Sequence, residues 1–138
     1  MPNALYGKGR QKFAEGSIHW LTDDIKVILV DMADYPDFNI DTNEFLSDVP
    51  VLARVKVSGA FDPDFKTATL GVCDAADVTL STVTGDVCEA LVIFKDTGEP
   101  TTSPLIAYIV DATGLPITPN GGDIIIQWDS GANKIFKL

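Results

Sequence analysis

From residue 51 onward, short runs rich in β-branched residues alternate with turns rich in Gly, Asp, Asn and Pro. This spacing is typical of antiparallel hairpins. Between these runs, no segment of about 10 to 15 residues has the periodicity of a helix, which argues against a parallel sheet with crossover helices. The pattern therefore predicts a mainly β protein, an antiparallel β-sandwich or barrel of about eight strands.

Two strands are predicted before residue 51 and six after it, with a terminal piece at the end of the chain. They are Ser17 to Leu21, Ile25 to Met32, Ala53 to Val57, Thr67 to Cys73, Val78 to Val83, Val87 to Lys95, Leu105 to Val110, Asp123 to Trp128 and the terminal piece Lys134 to Lys137. The second strand is almost wholly apolar and should therefore lie inside a sheet. The last five strands suggest a meander.

The first segment has a different period. Asn3 is a residue type that caps helices, and apolar residues follow it at helical spacing up to Gly16. Gly7 and Gly9 each weaken such a helix by about 1 kcal/mol, so we expect it to depend on packing, within its own subunit or against a neighbour. The chain is thus divided into an N-terminal helical arm, residues 1–16, and a single antiparallel β domain, residues 17–138. A chain of 138 residues suits one core.

Composition limits the classes of partner. The chain is 46% hydrophobic, and 20 acidic against 10 basic residues give a formal net charge of −10. Phosphate groups repel such a chain, so we expect no nucleic-acid partner. No apolar run approaches the roughly 20 residues that cross a bilayer, and the N-terminus lacks the apolar core of a signal peptide. We therefore expect no membrane association and no export.

Residues suited to nucleophilic catalysis are few. His19 is the one histidine, and no serine lies in a GxSxG motif. Cys73 and Cys88 lie in apolar runs, which favours buried, reduced thiols over a disulfide bridge. The sequence predicts no catalytic residues and no enzymatic activity.

The acidic residues are mostly aspartates in predicted turns, where Asp accepts hydrogen bonds from nearby backbone N–H groups. Two sets, Asp62 with Asp64 and Asp34 with Asp37 and Asp41, are the nearest to a calcium site, but neither has the spacing of an EF-hand. We expect no metal and no cofactor.

Two places in the sequence are candidates for binding a partner. The N-terminal helix carries apolar residues on one face and the one basic cluster of the chain, which includes Arg10, on the other. Farther on, Phe61 and Phe65 flank Asp62-Pro63-Asp64, a turn that should expose them. The candidate partner-binding residues are Leu5, Tyr6, Arg10, Phe13, Phe61 and Phe65.

Several strings along nearly the whole chain carry a family resemblance. They are Ala4-Leu5-Tyr6, Ile25 to Asp31 with Phe45 to Pro50, Ala90 to Gly98, Thr113 to Asp123 with Ile124 to Asp129, and Asn133 to Leu138. With these strings the sequence resembles a family of short tailed-bacteriophage proteins encoded among virion genes. The resemblance implies a structural component of the virion and carries no active-site chemistry.

Within that class, the role that suits a small acidic β protein best is capsid decoration, or cement. The resemblance implies a protein made in the cytoplasm of the host bacterium and placed on the capsid exterior, where it binds the major capsid protein. We expect a homo-oligomer, a trimer or dimer, because cement proteins bridge subunits by symmetric contacts. The alternatives are a head-tail or tail adaptor, a head-fibre component, and a host-surface carbohydrate-binding module.

Overall fold

A computed structural model describes residues 3–128, 130–132 and 134–138, with the backbone alone for residues 56–58. One α-helix, four short 3-10 helices and nine strands are present in this part of the chain. In chain order the α-helix and the strands are β1 (Ala4–Leu5), α1 (Gly7–Glu15), β2 (Ile25–Val30), β3 (Arg54–Ala60), β4 (Val72–Cys73), β5 (Val78–Leu80), β6 (Ala90–Lys95), β7 (Leu105–Ile109), β8 (Ile124–Ile126) and β9 (Phe136–Lys137). The predicted mainly β, antiparallel class with a short N-terminal helix is confirmed.

The largest element is a five-stranded antiparallel sheet in the order β1-β7-β6-β2-β3. Strand β2 lies inside it, as its apolar sequence predicts. Two small antiparallel pairs, β4-β9 and β5-β8, complete the strand pairing. The predicted meander is wrong. β4 pairs with β9 and β5 pairs with β8, and β6 and β7 lie between the partners of each pair in the sequence.

Both faces of the five-stranded sheet are buried. On one face the paired residues Val27 and Ile93 join a core with residues of both small sheets. On the other face the pair Ile28 and Val92 packs under the segment 32–53. Successive residues of a strand point to opposite faces of the sheet. Because both faces are buried, residues of both orientations are apolar, which explains why β2 and β6 are apolar except for Lys26 and Lys95. The layers resemble a sandwich whose second face is covered by a long loop.

The predicted strand from Ser17 to Leu21 is absent, and this segment forms turns. The backbone N–H of His19 donates to the Asp23 carboxylate over 2.7 Å, and the His19 carbonyl accepts from the Asp23 N–H over 2.9 Å. These local bonds fold the chain back. Ile18 and Trp20 still enter the core.

The helix begins at Gly7 and not at Asn3. Residues Ala4–Leu5 instead form edge strand β1 on β7. The Asn3 side chain, predicted to cap the helix, accepts from the backbone N–H groups of Val110 and Asp111, both over 2.8 Å. The N-terminal segment is therefore packed on the sheet of its own chain.

The close approach of α1 to β7 explains why Gly9, a weak helix former, lies inside the helix. A Cβ at this position would lie 2.5 Å from the carbonyl oxygen of Leu105 and 3.2 Å from Cα of Ile106. Only a residue without a side chain lets the helix approach β7 this closely.

We predict that Gly9→Ala lowers the free energy of unfolding by about 1 to 3 kcal/mol, because the overpacking outweighs the helix propensity that alanine adds. Urea unfolding followed by circular dichroism measures this change. Lys8→Ala, on the same turn, is the control and should stay within about 0.5 kcal/mol of wild type. A Gly9→Ala variant more stable than wild type would contradict the close approach.

Candidate partner-binding groove

A groove of about 670 Å³ lies on the face of the sheet that carries Ile28. It is bounded by residues from the segments 46–55, 84–86 and 94–100. Leu46 and Phe94 are buried beneath it. We call this feature the β3 groove, because β3 begins at its edge.

The rim of the β3 groove is apolar and exposed. Val51 and Leu52 are 74% and 82% exposed, whereas Val49 and Ala53 on either side are fully buried. A turn, in which the Ala53 N–H donates to the Pro50 carbonyl over 2.9 Å, holds the two exposed residues between these anchors. Two adjacent exposed apolar side chains at the edge of a groove form a contiguous apolar patch, and such patches mark interaction surfaces.

Arg54 follows the rim and opens β3, opposite Val30 in the sheet register. Its Nε is buried and has no hydrogen-bond partner, and its guanidinium forms no ion pair with any described residue. Burial lowers the pKa of the Arg54 guanidinium below its usual range. The β3 groove therefore contains a cation that the described chain leaves without a counterion.

The acidic residues of the β3 groove have other roles. Asp96 binds Nζ of Lys26 over 2.6 Å and accepts from the Gly98 N–H over 2.9 Å. The hydrogen bond from Lys26, followed by that from Gly98, holds the pKa of the Asp96 carboxyl below its usual range. Asp86 also lines the β3 groove and is exposed.

One group of carboxylates in the described part of the chain is close enough to hold a cation. Oxygens of Asp31, Asp34 and Asp86 lie within 4.8 Å of one another. Asp31 accepts from the Ala33 N–H over 3.0 Å, the turn role that the sequence predicts for its aspartates. The sets considered from the sequence differ from this one, and Asp62 accepts from the Asp64 N–H in the same manner.

The predicted partner-binding residues divide into buried and accessible ones. Tyr6 is fully buried, and Phe61 is 3% exposed. The Phe61 ring lies 5.5 Å from that of Trp20 and 5.2 Å from that of Trp128. Both residues belong to the core, which corrects their assignment as partner contacts. The turn after Phe61 does not expose it, because its backbone N–H continues the sheet by bonding to the Ile25 carbonyl.

The remaining candidates stay accessible. Phe65 is 64% exposed. Leu5 and Arg10 line a second, smaller groove of about 510 Å³ beside Phe136. The half-buried Phe13 ring packs 6.1 Å from the Phe136 ring. The structure thus brings Leu5 and Arg10 together at the N-terminal edge of the sheet, away from the β3 groove.

The residues for which a catalytic role was considered lie in structural settings. Cys73 and Cys88 are free and buried, and burial raises the pKa of each thiol to about 11. Their burial agrees with the prediction of reduced core thiols. His19 is an exposed residue of the turn described above.

Comparison with known proteins adds no relative: no protein-family model matches the chain, and no curated protein is significantly similar to it. Within the described residues, no helix has the length and apolar character required to cross a membrane.

The Lys26–Asp96 pair generates a prediction of pH dependence. A carboxyl whose pKa is lower in the folded state stabilises the fold above its unfolded pKa, about 3.9, and this stabilisation is lost as pH falls through the folded pKa. Asp96→Asn should therefore lower the free energy of unfolding by about 1 kcal/mol at pH 7 and by much less near pH 2. Denaturant unfolding at both pH values measures the difference.

Asp24→Asn is the matched control, because Asp24 is 57% exposed and lies 3.9 Å from the same Lys26 Nζ. It should change stability by only a few tenths of a kcal/mol. An Asp96→Asn effect of equal size at both pH values would show that the ion pair is not its cause.

Proposed function

We propose that this chain is a structural protein of a tailed-phage virion, a capsid decoration or cement protein that binds the major capsid protein through the β3 groove. The observation that carries the proposal is the exposed apolar rim formed by Val51 and Leu52. The resemblance of the sequence to short virion proteins supports the choice of partner.

The energetics of the rim suit a binding role. Val51 and Leu52 add no hydrophobic stabilisation to the fold while their side chains face water. Burial against a partner would stabilise a complex by about 1.5 to 3 kcal/mol for each side chain. A few such apolar anchors commonly carry most of the affinity of an interface.

The body of the protein suits a cement role as well. A sheet that is buried on both faces is a rigid support, and a pre-organised surface loses little entropy on binding. The net charge of −10 fits a position outside the shell, because packaged DNA would repel it. A symmetric homo-oligomer on the shell remains a prediction.

The carbohydrate-binding alternative has less support. A sugar platform needs exposed aromatic rings grouped on one face. Among the aromatic residues, all of which the structure describes, Phe65 alone is exposed.

Binding to particles tests the proposal. Purified protein, added to particles of a phage from which its gene has been deleted, should bind and cosediment with them. The double variant Val51→Asp with Leu52→Asp should bind at least about tenfold more weakly, because it places charges in an apolar contact.

The matched control is Leu70→Asp, because Leu70 is 91% exposed, does not line the β3 groove and has a φ of 54°, a conformation that Asp tolerates. It should bind like wild type. Failure of the wild-type protein to bind would contradict the proposed function, and equal binding by the double variant would contradict the assignment of its site.

A further inference from the structure

Among the described charged side chains, Arg54 is the one with a buried nitrogen or oxygen that has no hydrogen-bond partner. Its Nε is buried without a hydrogen bond, while the Lys26 ammonium has a carboxylate partner at 2.6 Å and the buried Lys66 donates to the Asp23 carbonyl over 2.7 Å. A buried N–H without a partner destabilises a fold, and removing both its charge and its donors can be neutral or stabilising. No hydrogen bond or ion pair joins the Arg54 guanidinium to another described residue, so none accounts for its position.

Arg54 is half-buried and lines the groove, so a ligand would reach the terminal nitrogens of its guanidinium and not the enclosed Nε. Leu46, Val55 and Phe94 provide apolar walls, and the rim of Val51 and Leu52 adds an exposed apolar edge. A planar guanidinium is best matched by the two oxygens of a carboxylate. Asp96, an acidic residue that also lines the β3 groove, already binds Lys26.

We infer that the β3 groove binds an extended apolar segment of a partner protein and that an acidic side chain of this segment binds the Arg54 guanidinium. This inference deepens the proposed function, and the identification of the partner as a shell subunit rests on that proposal. An internal segment has apolar residues on both sides of its carboxylate. This suits a groove with apolar residues in the 51–52 turn and in the 94–100 segment.

A phosphate ligand fits less well. Nucleic acid is recognised by several cations along a groove, whereas Arg54 is the one basic residue among the described residues that line the β3 groove, beside Asp86 and Asp96. The formal net charge of −10 also opposes a polyanion. A single carboxylate carries less charge than a polyanion and needs only one guanidinium, which Arg54 supplies.

Three acetylated tripeptides test the inference with the isolated protein. The first is Leu-Glu-Leu amide, the second is its neutral isostere Leu-Gln-Leu amide, and the third is Leu-Gln-Leu with a free terminal carboxylate. We expect the Glu peptide to shift the amide NMR signals of Arg54 and Val55 and to bind about tenfold more tightly than the Gln amide, the difference that a charge-assisted hydrogen bond gives. Tighter binding of the free-carboxylate peptide would overturn the internal segment in favour of a chain terminus.

Arg54→Met provides the second arm. It should abolish the preference for Glu over Gln and raise the melting temperature of the free protein by about 3 °C, because it removes an unsatisfied buried donor. Lys137→Met removes the same charge from an exposed position outside the β3 groove and should keep the preference. Equal binding of the Glu and Gln amides by wild type, or a lower melting temperature for Arg54→Met, would overturn the inference.

The peptide-binding experiment and the particle-binding experiment can fail independently of each other. If the protein prefers the Glu peptide to the Gln peptide but does not bind phage particles, the carboxylate-binding groove is supported and the proposed function is contradicted. If the protein binds particles but binds both peptides equally, the proposed function is supported and the carboxylate-binding groove is contradicted.

Discussion

The pairing of β2 with β6 is the interaction on which the rest of the structure depends. Six consecutive residue pairs join these strands, and their side chains supply both cores. Each large side chain buried in this way stabilises the fold by about 1.5 to 3 kcal/mol. Because both faces must be covered, the chain lays its small sheets on one face and the segment 32–53 on the other. The β3 groove lies where that second cover ends, so the site is a consequence of how the sheet is buried.

Much of the fold follows from the sequence, since apolar runs and turn residues act locally. The pattern predicts β2, β6 and β7 close to their observed bounds. It fails where a distant partner decides the structure. Residues Ala4–Leu5 have helical spacing but add to the edge of β7, and β4 and β5 find partners more than 40 residues away. The predicted strand at residues 17–21 is replaced by turns around the Asp23 carboxylate, a contact that alternating hydrophobicity does not register.

The candidate site was harder to predict, because it depends on which side chains remain exposed after the chain folds. Aromatic residues beside a turn are natural candidates, yet Phe61 is buried between two tryptophan rings. Val51, Leu52 and Arg54 were not candidates, although one signal was available: two large apolar residues directly after Pro50, followed by an arginine at the start of a strand. Whether Arg54 has a counterion is settled only by the fold, which assigns Asp96 to Lys26.

We propose that this rigid, acidic β protein is a repeated part of a phage shell. The most direct measurement is the molar ratio of this polypeptide to the major capsid protein in purified particles, determined by quantitative mass spectrometry. A decoration protein should be present on the order of hundreds of copies per particle, in a fixed ratio to the shell subunit. Absence from the particles, or a ring of only about six or twelve copies, would contradict it.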